Sequence, residues 1–334
     1  APAETLTGGP PSGLASHRIG VPDKQTTLEW ARGEVPECYE PVRLLGRGGM
    51  GVVFQCRDTN LDRSVAIKLM SDRYRTDPRA ERRFLAEARA QAVINHPNVA
   101  MVLDVGVSAT QRPYIVMEYV EGQDLRQAIR EHPMGLPPER ACLLLEQACA
   151  GLSEAHAAGI IHRDMKPSNL MVARDTRGGD LVKVLDLGLA KIAGGAADFR
   201  TITVDTAGLL VGTPAYMSPE QIGGTNVDAR ADLYALGVVL FELLTGRLPF
   251  ESDTVEGWLF QHLHSTPPAP SRLRPELARC PDLDGLVPGA LAKAPEDRYR
   301  RAGEMVEALE KAVERVKTEE RGRQQEQLAA LYVE

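Results

Sequence analysis

Cysteine patterns that hold disulfides or metals are missing from this sequence. The five cysteines are odd in number and include no C-x-x-C pair. Such a set supports neither a disulfide framework nor a cysteine-ligated metal cluster. The seven histidines show no metal-ligand spacing either. These absences favour a reducing compartment.

Long apolar runs are missing as well. No stretch reaches the ~20 residues that a membrane-spanning helix needs, and no signal-peptide pattern is visible. The chain starts at Ala1 and not at Met, which leaves open a longer protein with an anchor elsewhere. We therefore expect a cytoplasmic protein, or the cytoplasmic part of a longer, membrane-anchored one, with no membrane segment in this chain.

Positive charge is not in excess. The formal net charge is -7 and the sequence pI is about 5.6. Because nucleic acids select basic surfaces, this balance argues against nucleic acid as a partner. Aromatic residues are only 5% of the chain, but hydrophobic residues are 43%. A substantial core built mainly from Ala, Leu and Val is therefore expected.

Composition divides the chain into three parts. Residues 1–37 are rich in Gly, Pro, Ser and Thr, which predicts a disordered leader, with an ordered regulatory strand as the alternative. Residues 38–310 carry the strand and helix patterns of a folded domain. Within them, 229–245 is apolar on nearly all sides and predicts a buried central helix. Residues 311–334 are charged and Gln-rich, and predict a charged helical tail or a linker.

The most informative segment runs from His162 to Asn169 (H-R-D-M-K-P-S-N) and is followed by Asp186-Leu187-Gly188. It brings carboxylates, an ammonium group and an amide together over a short stretch of sequence. A general base needs a carboxylate near a hydroxyl proton, and Mg²⁺ prefers oxygen ligands such as Asp and Asn supply. These groups suit a site that holds a nucleoside triphosphate and its metal ions beside an accepting hydroxyl.

A glycine-rich segment, Gly46-Arg47-Gly48-Gly49-Met50-Gly51-Val52-Val53, lies between two predicted strands. Alone it is a weak signal, because glycines in a hairpin are often only a turn. A dinucleotide-binding unit needs a helix after its glycines, and here a strand follows. This order excludes a nicotinamide-dependent oxidoreductase.

Together with Val65-Ala66-Ile67-Lys68, Tyr114 to Gly122 and Gly212 to Glu220, these motifs resemble the eukaryotic-like (Hanks-type) bacterial serine/threonine protein kinases. The resemblance covers residues 39 to about 310. It implies an α+β fold with two lobes. The first, 38–118, would be a small, mainly antiparallel β lobe with one key helix; 119–122 would be the hinge, and 123–310 a larger, mainly helical lobe.

The resemblance also implies roles for the catalytic residues. Asp164 would be the base that accepts the hydroxyl proton, and Lys166 would neutralise the γ-phosphate. Asn169 and Asp186 would bind Mg²⁺, with Mn²⁺ as the alternative. Lys68 would contact the α- and β-phosphates of ATP. Its expected acidic partner is Glu87 on the helix that follows, with Glu81 as the competitor; a lysine in an apolar strand is otherwise usually a snorkelling surface residue.

The nucleotide pocket is assigned in the same way. The hinge backbone at Glu118 and Val120 would bind adenine, and Met117 would guard a back pocket. Asp124 would reach the ribose. The residues implied to surround ATP are Leu45, Gly46, Gly48, Gly51, Val53, Ala66, Lys68, Met117, Glu118, Val120, Asp124 and Met171.

Residues 190–211 would form the activation segment. Thr203 and Thr206, with Thr201, are the expected autophosphorylation sites, because an arginine directly before the base, here Arg163, typically awaits a phosphate. Structural support is implied for four further residues. They are Thr213 near the base, Glu220 paired with Arg298, and Asp232 holding the backbone of the catalytic loop.

The function implied is transfer of the γ-phosphoryl of MgATP to Ser or Thr of protein substrates, with self-association for autophosphorylation in trans. Two other classes are weighed against it. A pseudokinase would lack Lys68, Asp164, Asn169 or Asp186, and all four are present. A small-molecule kinase would lack the segment from Gly212 to Glu220 on which a protein substrate rests.

Overall fold

A computed structural model describes residues 24–48, 51–75, 77–187 and 214–331, with side chains from Thr27 to Gln325. Five antiparallel strands form the first sheet, in the order β1-β2-β3-β5-β4. Their bounds are β1 Tyr39–Arg47, β2 Gly51–Asp58, β3 Arg63–Met70, β4 Val102–Val107 and β5 Pro113–Glu118. This sheet is the small β lobe that the sequence predicts.

Both faces of this sheet are covered by helices. Side chains alternate between the two faces of a strand, yet all of Val65–Met70 in β3 is buried. Helix α2 (Pro78–Gln91) covers one face through Phe84 and Ala88. It begins at Asp77, whose side chain accepts a hydrogen bond from the Arg79 amide at 2.8 Å. Helix α1 (Lys24–Glu34) covers the other face.

The prediction of a disordered leader is wrong for α1. An isolated helix of 11 residues is marginal in water, so sequence composition alone gives it little support. Its order comes from the sheet: Ala31 is fully buried, and the Trp30 ring lies 6.0 Å from that of Phe54. A tertiary contact of this kind does not produce a hydrophobic periodicity that can be recognised in an 11-residue segment.

The second lobe is built around helix α6 (Arg230–Thr245), of which nearly every residue is buried. It ends at Gly246, whose φ of 71° is left-handed, as helix-ending glycines often are. A small sheet of order β6-β7-β8 lies beside the first lobe. The remaining elements are β6 Gln123–Asp124, β7 Leu170–Arg174, β8 Asp180–Val184, α3 Leu125–Glu131, α4 Pro138–Ala157, α5 Pro219–Gly223, α7 Val255–His264, α8 Pro270–Leu273, α9 Pro281–Leu291 and α10 Ala302–Leu331.

Helix α10 continues well past the predicted domain boundary at residue 310. Leu309, Ala312, Val313 and Val316 are buried in the core cluster that also contains the apolar face of α4. The helical alternative for the tail is therefore the one observed, and its first turns belong to the packed domain. Within the described residues, no helix is both long and apolar enough to cross a bilayer.

One buried histidine, His262, belongs to α7 in the second lobe. The His262 side chain is fully buried, its Nδ1 is 2.8 Å from the Tyr234 hydroxyl, and its ring meets Phe250 edge-on at 5.0 Å. Burial and the nearby Lys293 ammonium lower the pKa of His262 to about 4. The imidazole is therefore neutral in the folded protein over most of the physiological range.

This histidine should make the protein less stable in acid. The unfolded chain binds a proton at His262 below about pH 6.5, whereas the folded chain does so only near pH 4. Above pH 6.5, His262 therefore does not reduce the free energy of unfolding. On going to pH 4.5, protonation of His262 in the unfolded chain lowers the free energy of unfolding by about 2 kcal/mol. Urea unfolding at both pH values measures this loss. His262→Phe should remove that part of the pH dependence, and the matched change at the exposed His264 should not. Parallel pH profiles for wild type and His262→Phe would contradict this assignment.

Candidate active site

The catalytic loop lies between α4 and β7 and places its functional groups within hydrogen-bonding distance of one another. Lys166 Nζ is 2.7 Å from Asp164 Oδ2. Asn169 donates through Nδ2 to the Asp164 carbonyl at 2.7 Å. Its amide oxygen is therefore the atom that remains as a metal-ligand candidate. The Asp164 carboxylate is about half exposed, at 45%, and can be reached from solvent.

A single buried carboxylate holds the backbone of this loop. Asp232, in the first turn of α6, accepts hydrogen bonds from the amides of His162 and Arg163, both at 2.8 Å. His156 Nε2 from α4 lies 2.8 Å from the same carboxylate. Arg163 has a φ of 66°, a conformation that costs free energy in a non-glycine residue and persists only where contacts enforce it. Asp232 supplies those contacts.

Lys68 and Asp186 link the two lobes. Lys68 Nζ on β3 is 2.9 Å from Asp186 Oδ2, which follows β8 in the second lobe. Burial alone would raise the pKa of Asp186, but the Lys68 charge and hydrogen bond, with weaker help from His162 and Lys166, hold that pKa below its usual value. Asp186 is therefore ionised and, with Asp164 and Lys166, lies on one site between the lobes.

Glu87 lies on α2 and is half-buried. Among the described residues, the carboxylate within ion-pair distance of Lys68 is that of Asp186, and neither Glu87 nor Glu81 is that close. The Lys68–Glu87 ion pair that the sequence analysis expects is thus not formed in this arrangement. The sequence motifs assign Glu87, or Glu81, to Lys68 and Asp186 to the metal, so the Lys68–Asp186 contact is not predicted from them.

The glycine-rich segment joins β1 and β2. A Cβ added at Gly51 would lie 2.2 Å from the Leu69 carbonyl oxygen, so packing against β3 requires glycine there. A Cβ at Gly46 or Gly48 would meet nothing in the described part of the chain within 4 Å. Internal packing does not explain those two glycines, whereas close approach of the backbone to a ligand would.

The hinge region combines backbone contacts with an ion pair. Glu118, at the end of β5, donates its amide hydrogen to the Met101 carbonyl at 2.8 Å, and its carboxylate accepts from the Met101 amide. Lys183 Nζ on β8 lies 2.8 Å from the same carboxylate. No motif in the sequence singles out Lys183. Its only signal there is a cation inside the apolar run that leads to Asp186.

The other predicted pocket residues are divided between the two lobes, and strand pairing gives the neighbours of several of them. Ala66 is paired with the buried Met117 across β3 and β5. Met171 on β7 is paired with Asp124 on β6. Asp124 also begins α3, because its carboxylate accepts from the Gln127 amide at 2.8 Å. The remaining predicted positions are a partly exposed Leu45, a half-buried Val53 and a nearly buried Val120.

Two support contacts lie behind the catalytic loop. Arg298 donates from Nη1 and Nη2 to both oxygens of Glu220, at 2.7 and 2.8 Å, and both side chains are buried. Gln221, the next residue of α5, donates to the Arg163 carbonyl at 2.8 Å. The predicted positions Thr201, Thr203, Thr206 and Thr213 lie outside the described residues.

Comparison with known proteins identifies the family. The family model described as protein kinase domain matches residues 39–309. This chain belongs to the protein kinase family. It is 44% identical over 273 residues to the serine/threonine-protein kinase pkn3 of Myxococcus xanthus, covering 81% of this chain and 49% of that protein. It is 43% identical over 271 residues to the serine/threonine-protein kinase PknB of Mycobacterium tuberculosis, covering 80% of this chain and 41% of that protein.

Solved structures agree on the fold. The crystal structure of the Mycobacterium tuberculosis PknI kinase domain matches with a TM-score of 0.63 at 30% identity, over 84% of this chain and 98% of that one. The kinase domain is therefore of the bacterial Hanks type, with an α+β fold in two lobes. The chain spans half or less of the length of these curated relatives. Helix α1 precedes the part that the family model matches.

The Lys183–Glu118 ion pair should matter for nucleotide affinity. Lys183→Ala would leave the Glu118 carboxylate without its cation and loosen the hinge backbone. Only the part of the ion pair's contribution that differs between the free and the nucleotide-bound protein changes the affinity. If that part is about 1 kcal/mol, the size of one ion pair, the Kd for MgATP should rise roughly fivefold. Isothermal titration calorimetry measures the change. Arg174→Ala, which removes an exposed cation from the neighbouring strand, is the control and should leave the Kd unchanged. Equal affinities for wild type and Lys183→Ala would show that the Lys183–Glu118 pair does not contribute to nucleotide binding.

Proposed function

We propose that this chain transfers the γ-phosphoryl group of MgATP to Ser and Thr hydroxyls of proteins. The observation that carries the proposal is the Lys68–Asp186 contact of 2.9 Å between the lobes, formed beside the Asp164–Lys166 pair. Phosphoryl transfer depends mainly on positioning and on charges placed around the phosphates. These four residues supply that set of charges on one site.

Each group has a chemical task in this proposal. Asp164 is accessible and accepts the proton of the attacking hydroxyl. Lys166, at 2.7 Å from Asp164 Oδ2, neutralises charge on the transferring phosphoryl. Lys68 holds the α- and β-phosphates. To do so its ammonium leaves Asp186, and Glu87 on α2 then becomes the carboxylate that directs it.

The donor set suits Mg²⁺. Within the residues that the structure describes, no three His, Cys, Asp or Glu side chains form a ready-made metal cage. Mg²⁺ in nucleotide sites is usually held by one or two protein oxygens together with phosphates and water. Asn169 and Asp186 provide two such oxygens, and Asp186 is kept ionised by its surroundings. These residues would hold the metal, which supplies positive charge at the phosphates; Mn²⁺ offers the same chemistry.

Location and partners follow from the same proposal. All five cysteines are free thiols in the structure, and four of them are buried. Unpaired cysteines suit the reducing cytoplasm, which is where we place the chain, alone or as part of a longer protein. The partners are protein substrates bearing Ser or Thr, and a second copy of the chain for autophosphorylation.

A pseudokinase is the second candidate function. Substitution of the proposed base, Asp164, distinguishes it from an active kinase. Asp164→Asn keeps the size of the side chain but removes the proton acceptor, so we expect transfer to a generic acceptor protein to fall at least 100-fold. MgATP affinity should stay within about twofold of wild type. Labelled-phosphate incorporation and calorimetry measure these two quantities. Asp253→Asn, at an exposed position, is the matched control. Undiminished transfer by Asp164→Asn would contradict the role of the base.

Autophosphorylation is expected in the segment that contains Thr201, Thr203 and Thr206. Wild-type protein incubated with MgATP should gain phosphate on residues 201–206, because Arg163 beside the base offers a cation for a phosphorylated threonine. Intact mass and peptide mapping measure this gain, and the Asp164→Asn protein is the control that should gain none. High activity with an unmodified segment would show that phosphorylation there does not control this chain.

A further inference from the structure

Helix α1 makes a polar contact at its C-terminal end that the role of covering the sheet does not require. Arg112, in the turn between β4 and β5, is buried, with 3% of its side chain exposed. Three of its nitrogens each have a different acceptor. Nε donates to Glu34 at 2.8 Å, Nη1 to the Met70 carbonyl at 2.7 Å, and Nη2 to Asp72 at 2.6 Å.

The three acceptors belong to three different segments. Glu34 is the last residue of α1, Met70 is the last residue of β3, and Asp72 begins the short turn that leads into α2. Met70 lies two residues after Lys68 on the same strand, and α2 carries Glu87. One guanidinium therefore joins α1 to the end of the lysine strand and to the start of the connection that leads to α2.

Glu34 is the buried counterion of this arginine. Its side chain is 10% exposed, whereas that of Asp72 is 70% exposed. Thr110 also donates to the Glu34 carboxylate, and the Trp30 ring of α1 lies 5.1 Å from the centre of the guanidinium. A buried cation that loses its carboxylate is strongly destabilised. Without Glu34, the Arg112 guanidinium would keep its contacts with the Asp72 carboxylate, which faces water, and with the Met70 carbonyl.

From these contacts we propose that α1 positions the phosphotransfer site from outside the part of the chain that the family model matches, with Glu34 and Arg112 as positioning residues. Glu34 fixes the guanidinium, the guanidinium fixes the end of β3 and the start of the connection to α2, and these set the relative placement of Lys68 and Glu87. The proposal rests on the proposed phosphotransfer for its kinetic consequence. Its structural consequence, a fixed connection at Ser71 to Arg75, can be measured without it.

The polar and apolar contacts of α1 can be separated by substitution. Leu28 packs against the apolar cluster under α1 and does not take part in the Arg112 network. A helix that only covers the sheet would respond in the same way to loss of either contact. A helix that positions the site would respond in its kinetics only to changes at Glu34 or Arg112.

The experiment compares Glu34→Gln and Arg112→Lys with Leu28→Ala, all in the full chain. Urea unfolding first gives the loss of stability of each variant, and activity is assayed where every variant is more than 95% folded. We expect Glu34→Gln and Arg112→Lys to lower kcat by roughly 5- to 20-fold with the KM for the acceptor protein unchanged. Leu28→Ala should keep kcat within twofold. Glu34→Asp, which keeps the carboxylate, should recover part of the loss.

Hydrogen exchange gives the second readout. Protection of the amides from Ser71 to Arg75 should fall in Glu34→Gln and stay at the wild-type level in Leu28→Ala. Equal kinetic losses in Leu28→Ala and Glu34→Gln at equal stability, or unchanged exchange in Glu34→Gln, would overturn the proposal. If wild type itself transfers no phosphate, the proposed function fails. The exchange result then decides alone whether Glu34 fixes the connection.

Discussion

The buried carboxylate of Asp232 is the contact on which the arrangement of the catalytic loop depends. It lies at the start of a helix that is buried on nearly every side, so it cannot move without disturbing the core of the second lobe. Two loop amides and His156 converge on it. Because backbone amides are strong donors that need a partner when buried, the position of the Asp232 carboxylate determines the position of the loop backbone. The position of Asp164, the proposed base, is therefore set by the core of the second lobe.

Buried cations elsewhere follow the same rule of charge compensation. Arg298 is paired with Glu220 behind the loop, Arg112 with Glu34 under α1, and Lys68 with Asp186 between the lobes. Replacing a buried pair by apolar groups often costs little, but removing one partner costs several kcal/mol. Such pairs are therefore poor evidence for stability and better evidence for fixed geometry. In this chain, each of the three fixes a junction between segments that are distant in sequence.

The sequence predicts the parts of the site that are made of short motifs. The loop around Asp164 and the hinge around Glu118 are local segments, and their roles follow from their resemblance to kinase motifs. Contacts between distant segments were not predictable in this way. The order of α1 depends on a sheet face formed by residues 39–118, and the Lys183–Glu118 pair joins two strands of different lobes. The sequence motifs assign Glu87, or Glu81, to Lys68, whereas the carboxylate 2.9 Å from Lys68 is that of Asp186.

The choice of carboxylate partner at Lys68 has a physical origin. One ammonium group has three hydrogens to donate, so Asp186, Glu87 and the phosphates compete for a small number of donors and a single charge. In the present arrangement Asp186 is ionised and compensated by Lys68. Under the proposed function Asp186 gains a metal as its counterion, and Lys68 becomes available to phosphate oxygens and to Glu87. How readily Lys68 changes partner then depends on where the end of β3 and the connection to α2 are held. Arg112, paired with Glu34, contacts Met70 at the end of β3 and Asp72 at the start of that connection. Helix α1, which lies outside the part that the family model matches, is therefore part of the same electrostatic balance.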